Sequence, residues 1–155
     1  MNRLGLTLCA IMLCAGLLSA SDKKTQTQPE VIVNYQLIHQ GTYSGIREPI
    51  AKVITTEAEW EELWKRHVSV IVPQPLLPKI DLNANVIAAI FSGEKKTSGY
   101  RIIVKSIKYD GQNIKITYHE TQPPETSFTL QVLSQPYIML QIPKPASGTV
   151  ELVKE

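Results

Sequence analysis

Cysteine is absent from most of this chain. Cys9 and Cys14 are its only two cysteines, and both lie within the first 20 of its 155 residues. Downstream of them, no disulfide, thiolate nucleophile or cysteine metal site can form. A domain built from the remaining residues must therefore be held together by the burial of apolar side chains.

An excess of charge of one sign is also absent. The chain has 16 lysines and arginines against 14 aspartates and glutamates, for a formal net charge of +2. Nucleic-acid-binding domains are normally strongly basic, and a strongly acidic partner would need a similar excess of positive charge. We therefore expect no nucleic-acid partner.

Several motifs that carry chemistry are missing as well. Gly93 and Gly99 are too few for a phosphate-binding loop, and a strand pattern rather than a helix pattern follows them. The chain has no Gly-x-Ser-x-Gly nucleophile elbow. The three histidines, His39, His67 and His119, have no partner at the spacing of a metal-binding helix. We expect no catalytic residue, no metal site and no cofactor.

One catalytic arrangement is left open by the sequence. Glu94, Glu120 and Glu125 could cluster, and two carboxylates in one cleft are what a glycosidase or peptidoglycan hydrolase requires. A glycan-acting hydrolase is therefore one alternative function. The acidic run from Glu57 to Glu62 is better explained by the start and the wet face of a helix.

The first 20 residues have the pattern of a secretory signal peptide. Arg3 precedes an uncharged, mostly apolar run from Leu4 to Leu18, and small residues surround Ala20. This pattern predicts export to the periplasm or the cell exterior. Lipidation at Cys14, or a signal that is not cleaved, would instead anchor the protein to a membrane. Leu13 stands where a lipoprotein signal has a small residue.

Residues 31–155 are predicted to form a single α+β domain, a mostly antiparallel β-sheet with one amphipathic helix packed on a face. Residues 21–30 are polar, lack apolar periodicity and are predicted to be a flexible tether. Apolar or alternating stretches predict the strands. These are VIVNYQLI (31–38), PIAKVIT (49–55), NVIAAIF (85–91), two arms within 101–120, 128–132, 138–142 and VELVK (150–154).

The stretch TTEAEWEELWKRH (55–67) predicts the helix. Thr56 is the expected N-cap, and Glu59 three residues later completes a capping box. Trp60, Trp64 and the leucine between them lie on one face, which is expected to pack on the sheet. His67 is expected to cap the helix end.

Residues 101–120 predict a β-hairpin that turns at Asp110-Gly111. The apolar alternation of the first arm changes phase, which indicates a β-bulge near Lys105-Ser106. On the second arm, His119 is expected on the solvent face.

Two glycine-flanked tyrosines are candidate partner contacts. Tyr43 lies in GTYSG (41–45), and Tyr100 follows Gly99 in SGEKKTSGYRIIV (92–104). Exposed aromatic side chains in loops are typical of protein-binding surfaces. The alternative is that each tyrosine folds over the edge of the core.

Four stretches, in this order, resemble the C-terminal domain of PrcB-type protease complex subunits: GTYSGIREP, EWEELWKRH, GEKKTSGYRI and SQPYIMLQIP. The resemblance implies an extracytoplasmic, non-catalytic domain that binds a protein partner, with a secreted protease as the expected one. Together with Tyr43, the positions that match the family motifs form the predicted binding site: Gly93, Glu94, Thr97, Gly99, Tyr100, Pro136 and Tyr137.

The loop from Glu94 to Tyr100 also resembles the threonine-glycine-aromatic loop of chagasin-type cysteine protease inhibitors. Direct inhibition of a protease by this loop is therefore a second alternative function. The sequence does not decide whether the Gln135–Pro136 bond is cis.

Overall fold

A computed structural model describes the chain from Val31 to Glu155. The predicted signal peptide, the tether and the lipidation site at Cys14 lie outside the described residues. The described part contains one α-helix and mostly antiparallel strands, which confirms the α+β class. It includes no helix that is both long and apolar enough to cross a membrane.

The elements follow one another along the chain with the helix near the start. In order they are β1 (Val31–Ile32), β2 (Gln36–Gly41), β3 (Pro49–Ile54), α1 (Glu57–His67), a 3-10 turn (Val68–Val70), β4 (Asn85–Ser92), β5 (Arg101–Tyr109), β6 (Ile114–Thr121), β7 (Tyr137–Pro143) and β8 (Val150–Lys154).

The strands form two four-stranded sheets rather than the single sheet expected. The first sheet has the order β1-β5-β6-β8, and the second has the order β2-β7-β4-β3. All strand pairs are antiparallel except β6 with β8. One core cluster joins the facing sides of the two sheets, and another joins the second sheet to α1. The second sheet is thus the middle layer, which explains why β4 is apolar throughout.

The helix packs on the second sheet through the predicted face. Trp60 and Trp64 are both about 95% buried, at 3% and 5% exposure. Their indole N–H groups donate to the carbonyls of Pro78 at 3.0 Å and Pro75 at 3.3 Å. The proline-rich connection therefore supplies the acceptors that buried indoles need.

Replacing Thr56 with alanine is expected to lower the free energy of unfolding by about 1 kcal/mol. The Thr56 hydroxyl accepts from the Glu59 backbone N–H and donates to the Glu59 carboxylate. Thr56→Ser retains both hydrogen bonds and serves as the matched control. Urea unfolding of the two variants measures the difference, and equal stability of alanine and serine would contradict the cap.

The hairpin and its bulge are confirmed. β5 pairs with β6, and the register shifts between Val104 and Ser106. At the turn, the Asp110 carboxylate accepts from the backbone N–H groups of Gln112 and Asn113 at 2.9 and 2.7 Å. These bonds lower the pKa of Asp110.

Two of the predicted strands are wrong. Residues 31–38 do not form one strand, because β1 pairs with the first sheet and β2 with the second. Residues 128–132 form no strand, and Phe128 is 95% exposed. An alternating apolar pattern is not sufficient for a strand, because the backbone hydrogen bonds of a strand need a neighbouring strand to pair with. The cis bond found among the described residues precedes Pro73 rather than Pro136.

Candidate functional site

The loop of residues 93–100 carries β4 of the second sheet into β5 of the first. It begins at Gly93, which is buried and has a φ of +73°. A Cβ at this position would lie 2.9 Å from the Arg47 carbonyl oxygen and 3.0 Å from Pro49. Only glycine suits both the left-handed backbone and the lack of space.

Glu94 ties this loop to two other segments. Its backbone N–H donates to the Arg47 carbonyl at 2.8 Å. Its carboxylate accepts from the Gln135 side-chain amide at 3.2 Å and lies 3.5 Å from Nε of Arg47. Because these partners are neighbours of β3 and β7, the exposed Glu94 is fixed by the second sheet.

The loop also holds the irregular segment of residues 122–133 in place. Ser98 and Leu130 exchange two hydrogen bonds of 3.0 Å: the Ser98 N–H donates to the Leu130 carbonyl, and the Leu130 N–H donates to the Ser98 hydroxyl. Lys95 and Ser134 form a backbone bridge, and the Ser134 hydroxyl donates to the Thr97 carbonyl at 2.9 Å. The segment is therefore irregular in form but tied to the loop at Leu130 and, just beyond its end, at Ser134.

Large apolar side chains on these loops point into solvent. Phe128 is 95% exposed, Leu130 58% and Leu133 52%. Tyr43 is 63% exposed, and the carbonyl of the preceding Thr42 accepts from the Gln135 N–H, so the loop carrying Tyr43 meets the end of this segment. We call the set the apolar loop surface; its members are Tyr43, Phe128, Leu130, Val132 and Leu133.

The residues predicted as a binding site lie at different depths. Tyr43, Glu94 and Gly99 are exposed, while Thr97 and Tyr100 are half-buried. The Lys95 ammonium lies 5.3 Å from the centre of the Tyr100 ring, a cation–π arrangement that partly covers the ring. Pro136 and Tyr137 are buried and would support a binding surface from beneath.

Beneath the Tyr43 loop lies a polar chain of four side chains, of which three are buried and His39 is half-buried. His67, expected as a helix-end cap, is instead fully buried in the core. Its Nδ1 lies 3.0 Å from the Ser44 hydroxyl, and its Nε2 lies 3.2 Å from Nδ1 of His39. The Tyr137 hydroxyl lies 3.0 Å from the same His39 nitrogen. We call these residues the histidine chain.

The hydrogen bonds of the histidine chain are compatible with a neutral His67. The Ser44 oxygen accepts from the Ile46 N–H at 3.1 Å, and its own proton can be donated to Nδ1 of a neutral His67. Burial, with a smaller contribution from His39, lowers the pKa of His67 to about 4. Burial likewise raises the pKa of Tyr137 to about 12.

A cleft between the ends of the two sheets contains one of the three candidate carboxylates. Glu120 lies in its lining, where the Lys95 ammonium is 2.6 Å from the Glu120 carboxylate. Glu94 and Glu125 are not among the lining residues of this cleft. Among the residues that the structure describes, no group of three histidines, cysteines or carboxylates could hold a metal ion.

Residues 86–143 match the family model described as PrcB C-terminal. This match confirms the resemblance from β4 to β7, which includes the 93–100 loop and most of the apolar loop surface. The stretches GTYSGIREP and EWEELWKRH lie outside the matched residues. No curated protein and no solved structure matches the chain.

Apart from Tyr43 and Tyr137, the sequence did not indicate the members of the apolar loop surface or of the histidine chain. Phe128, Leu130 and Val132 alternate as a strand would, and only the lack of a partner strand reveals them as surface residues. Ser44 and His39 lie far from His67 along the chain, so no local spacing links them. The two prolines before Phe128, at 123 and 124, were the one available sign of an irregular segment.

Proposed function

We propose that this protein is an exported, non-catalytic module that binds a protein partner, with an extracytoplasmic protease as the expected partner. The observation that carries the proposal is the apolar loop surface. The match to a protease-complex family supports the class of partner. The signal-peptide pattern of residues 1–20 supports export.

The exposure of Phe128 is the strongest single feature of this surface. Burial of a phenylalanine side chain contributes roughly 1.5–3 kcal/mol relative to leaving it in water. Phe128, at 95% exposure, contributes almost none of this to folding. Leu130, Val132 and Leu133 follow it closely along the chain and are also exposed. Exposed apolar patches are typical of protein interaction sites.

The surface is also held in shape before any partner binds. Leu130 is hydrogen-bonded to Ser98, and Ser134 is hydrogen-bonded to Lys95 and Thr97. The Ser127 N–H and hydroxyl both donate to the Pro124 carbonyl. A surface ordered in advance loses less conformational entropy on association. This arrangement favours a binding role over a loop left without function.

Direct inhibition by the Glu94–Tyr100 loop is less well supported by the contacts. An inhibitory loop has to enter a protease cleft with its backbone free to pair with the enzyme. Here the backbone groups of Glu94, Lys95 and Ser98 are already paired within the protein. The 93–100 loop is better suited to support the neighbouring apolar surface.

Phe128→Ser and Leu130→Ser are expected to weaken binding of the partner by about tenfold or more each, since truncation of a central apolar anchor has effects of this size. Tagged protein is used to capture partners from the envelope and secreted fractions of the producing organism. A captured protease is then purified and titrated against each variant.

Leu76→Ser is the matched control, because Leu76 is 91% exposed but lies in the proline-rich connection. The control is expected to bind like the unchanged protein. Equal binding by all three variants would show that the apolar loop surface is not the interface. A captured partner without protease activity would overturn the proposed class of partner.

A further inference from the structure

The cleft between the two sheets has a volume of about 340 Å³. It opens at the end of the domain where β3 and β5 start and where β4, β6 and β8 finish. Its inner walls are apolar and include the side chains of Ile90, Ile102 and Tyr118, which belong to the core between the two sheets. Small-ligand pockets range over about 300–1,000 Å³, so a cleft of this size suits one or two side chains.

The mouth of the cleft carries an excess of positive charge. Lys95 and Lys154 both face Glu120, with closest nitrogen–oxygen distances of 2.6 and 3.9 Å. Glu120 is the single carboxylate among the lining residues, so two ammonium groups share one counter-ion. The neighbouring Glu155 carboxylate pairs with Lys105 instead. Lys154, whose side chain is 59% exposed, is the less fully compensated of the two cations.

We propose that this cleft binds the free C-terminal residue of a partner polypeptide. The apolar side chain of this C-terminal residue enters between the sheets, and the terminal carboxylate lies between Lys95 and Lys154. An ammonium group has three donors, so each lysine can bind Glu120 and a second carboxylate together. This inference rests on the proposed protein-binding function and gives it a second contact on a different part of the domain.

The neighbouring strand edges favour a polypeptide over a free apolar acid. β3 is an edge strand of the second sheet, and β8 is an edge strand of the first. Among the described residues 31–155, no strand pairs with the outer edge of either strand, although β3 and β8 lie close to each other. Pro49, Ile50 and Ala51 of β3 line the cleft. An extended peptide can pair with such an edge while its last residue fills an adjoining pocket.

The first test uses two acetylated pentapeptides that have the same sequence and end in leucine. One has a free C-terminal carboxylate (the acid), and the other has a C-terminal amide. Calorimetry and NMR spectra of the full domain measure their binding. The acid is expected to bind about tenfold more tightly than the amide, because the terminal charge adds charge-assisted hydrogen bonds. Binding of the acid should shift the methyl signals of Ile90 and Ile102 and weaken with added salt.

Lys154→Gln is expected to remove most of the preference for the acid over the amide, because the remaining Lys95 is paired with Glu120. Lys95 is left unchanged in this test, because its removal would leave the Glu120 side chain, at 12% exposure, without its close partner. Glu120→Gln should raise the affinity for the acid several-fold, since it removes the competing carboxylate. Lys115→Gln, on an exposed position of the same β6, is the control and should change nothing.

Equal affinity for acid and amide would overturn the proposal, as would tighter binding of the amide by the unchanged protein. Hexanoate is the third ligand. If hexanoate bound as tightly as the peptide acid, the strand edges would play no part and the proposal of a polypeptide ligand would be overturned. These outcomes are separable from the proposed function. The proposed function is tested with the Phe128 and Leu130 variants, and neither residue lines the cleft. Failure of the cleft proposal would therefore leave that test unaffected.

Discussion

Acidification from pH 7 to pH 4 is expected to lower the free energy of unfolding by roughly 3 kcal/mol through His67 alone. The folded protein lowers the pKa of His67 from 6.5 to about 4. Between these values the unfolded chain binds a proton that the folded protein does not. The stabilising contribution is therefore complete above pH 6.5 and is lost as the pH falls towards 4.

The pH effect of His67 can be separated from that of other groups by difference. Carboxylates and His39 also titrate in this range, but they remain in a His67→Gln variant. Urea unfolding of both proteins, followed by tryptophan fluorescence from pH 7 to pH 4, gives two stability profiles. The advantage of the unchanged protein over the variant should shrink by roughly 3 kcal/mol. A constant difference would show that His67 is not held neutral by burial.

Leu140→Ala is expected to lower the free energy of unfolding by roughly 2–5 kcal/mol, the range for leucine removed from a close-packed core. Leu140 is fully buried at the centre of β7, where it packs in the core between the two sheets. β7 is paired with β2 on one side and β4 on the other, so the backbone has little freedom to move into the cavity that the smaller side chain leaves. Denaturant unfolding measures the loss.

Leu130→Ala is the matched control for Leu140→Ala, with the same chemical change at a 58% exposed position. Its effect on stability is expected to stay within about 0.5 kcal/mol. Leu130→Ala should nevertheless weaken binding of the partner, because Leu130 belongs to the apolar loop surface. Leu140→Ala has no such direct effect on binding. If Leu130→Ala proved as destabilising as Leu140→Ala, the segment would be part of the core and could not serve as an exposed interface.

The elements with local signals were predictable from the sequence. The cap at Thr56, the tryptophan face of α1 and the turn at Asp110-Gly111 each depend on residues a few positions apart. The bulge beside Ser106 was visible as a change of phase in the apolar pattern. Such signals require no knowledge of which strands are neighbours.

Features that depend on distant pairing were not predictable in the same way. Residues 31–38 look like one strand, but the chain passes from the first sheet to the second within them. Phe128 looks like a strand residue, yet no partner strand lies beside it. His67 is polar and near a helix end, and its burial depends on Ser44 and His39 from other elements. The position of Glu120 beside Lys95 likewise follows only from the packing of two sheets.

Site-specific photocrosslinking at position 128 tests the central claim most directly. A photoreactive phenylalanine replaces Phe128 in one variant and Leu76 in the other, two positions of similar exposure at 95% and 91%. Both are produced in the native organism and irradiated in intact cells. We predict one dominant adduct with an extracytoplasmic protease at position 128 and none at position 76. Equal crosslinking at both positions, or no adduct at position 128, would contradict a protein-binding function for the apolar loop surface.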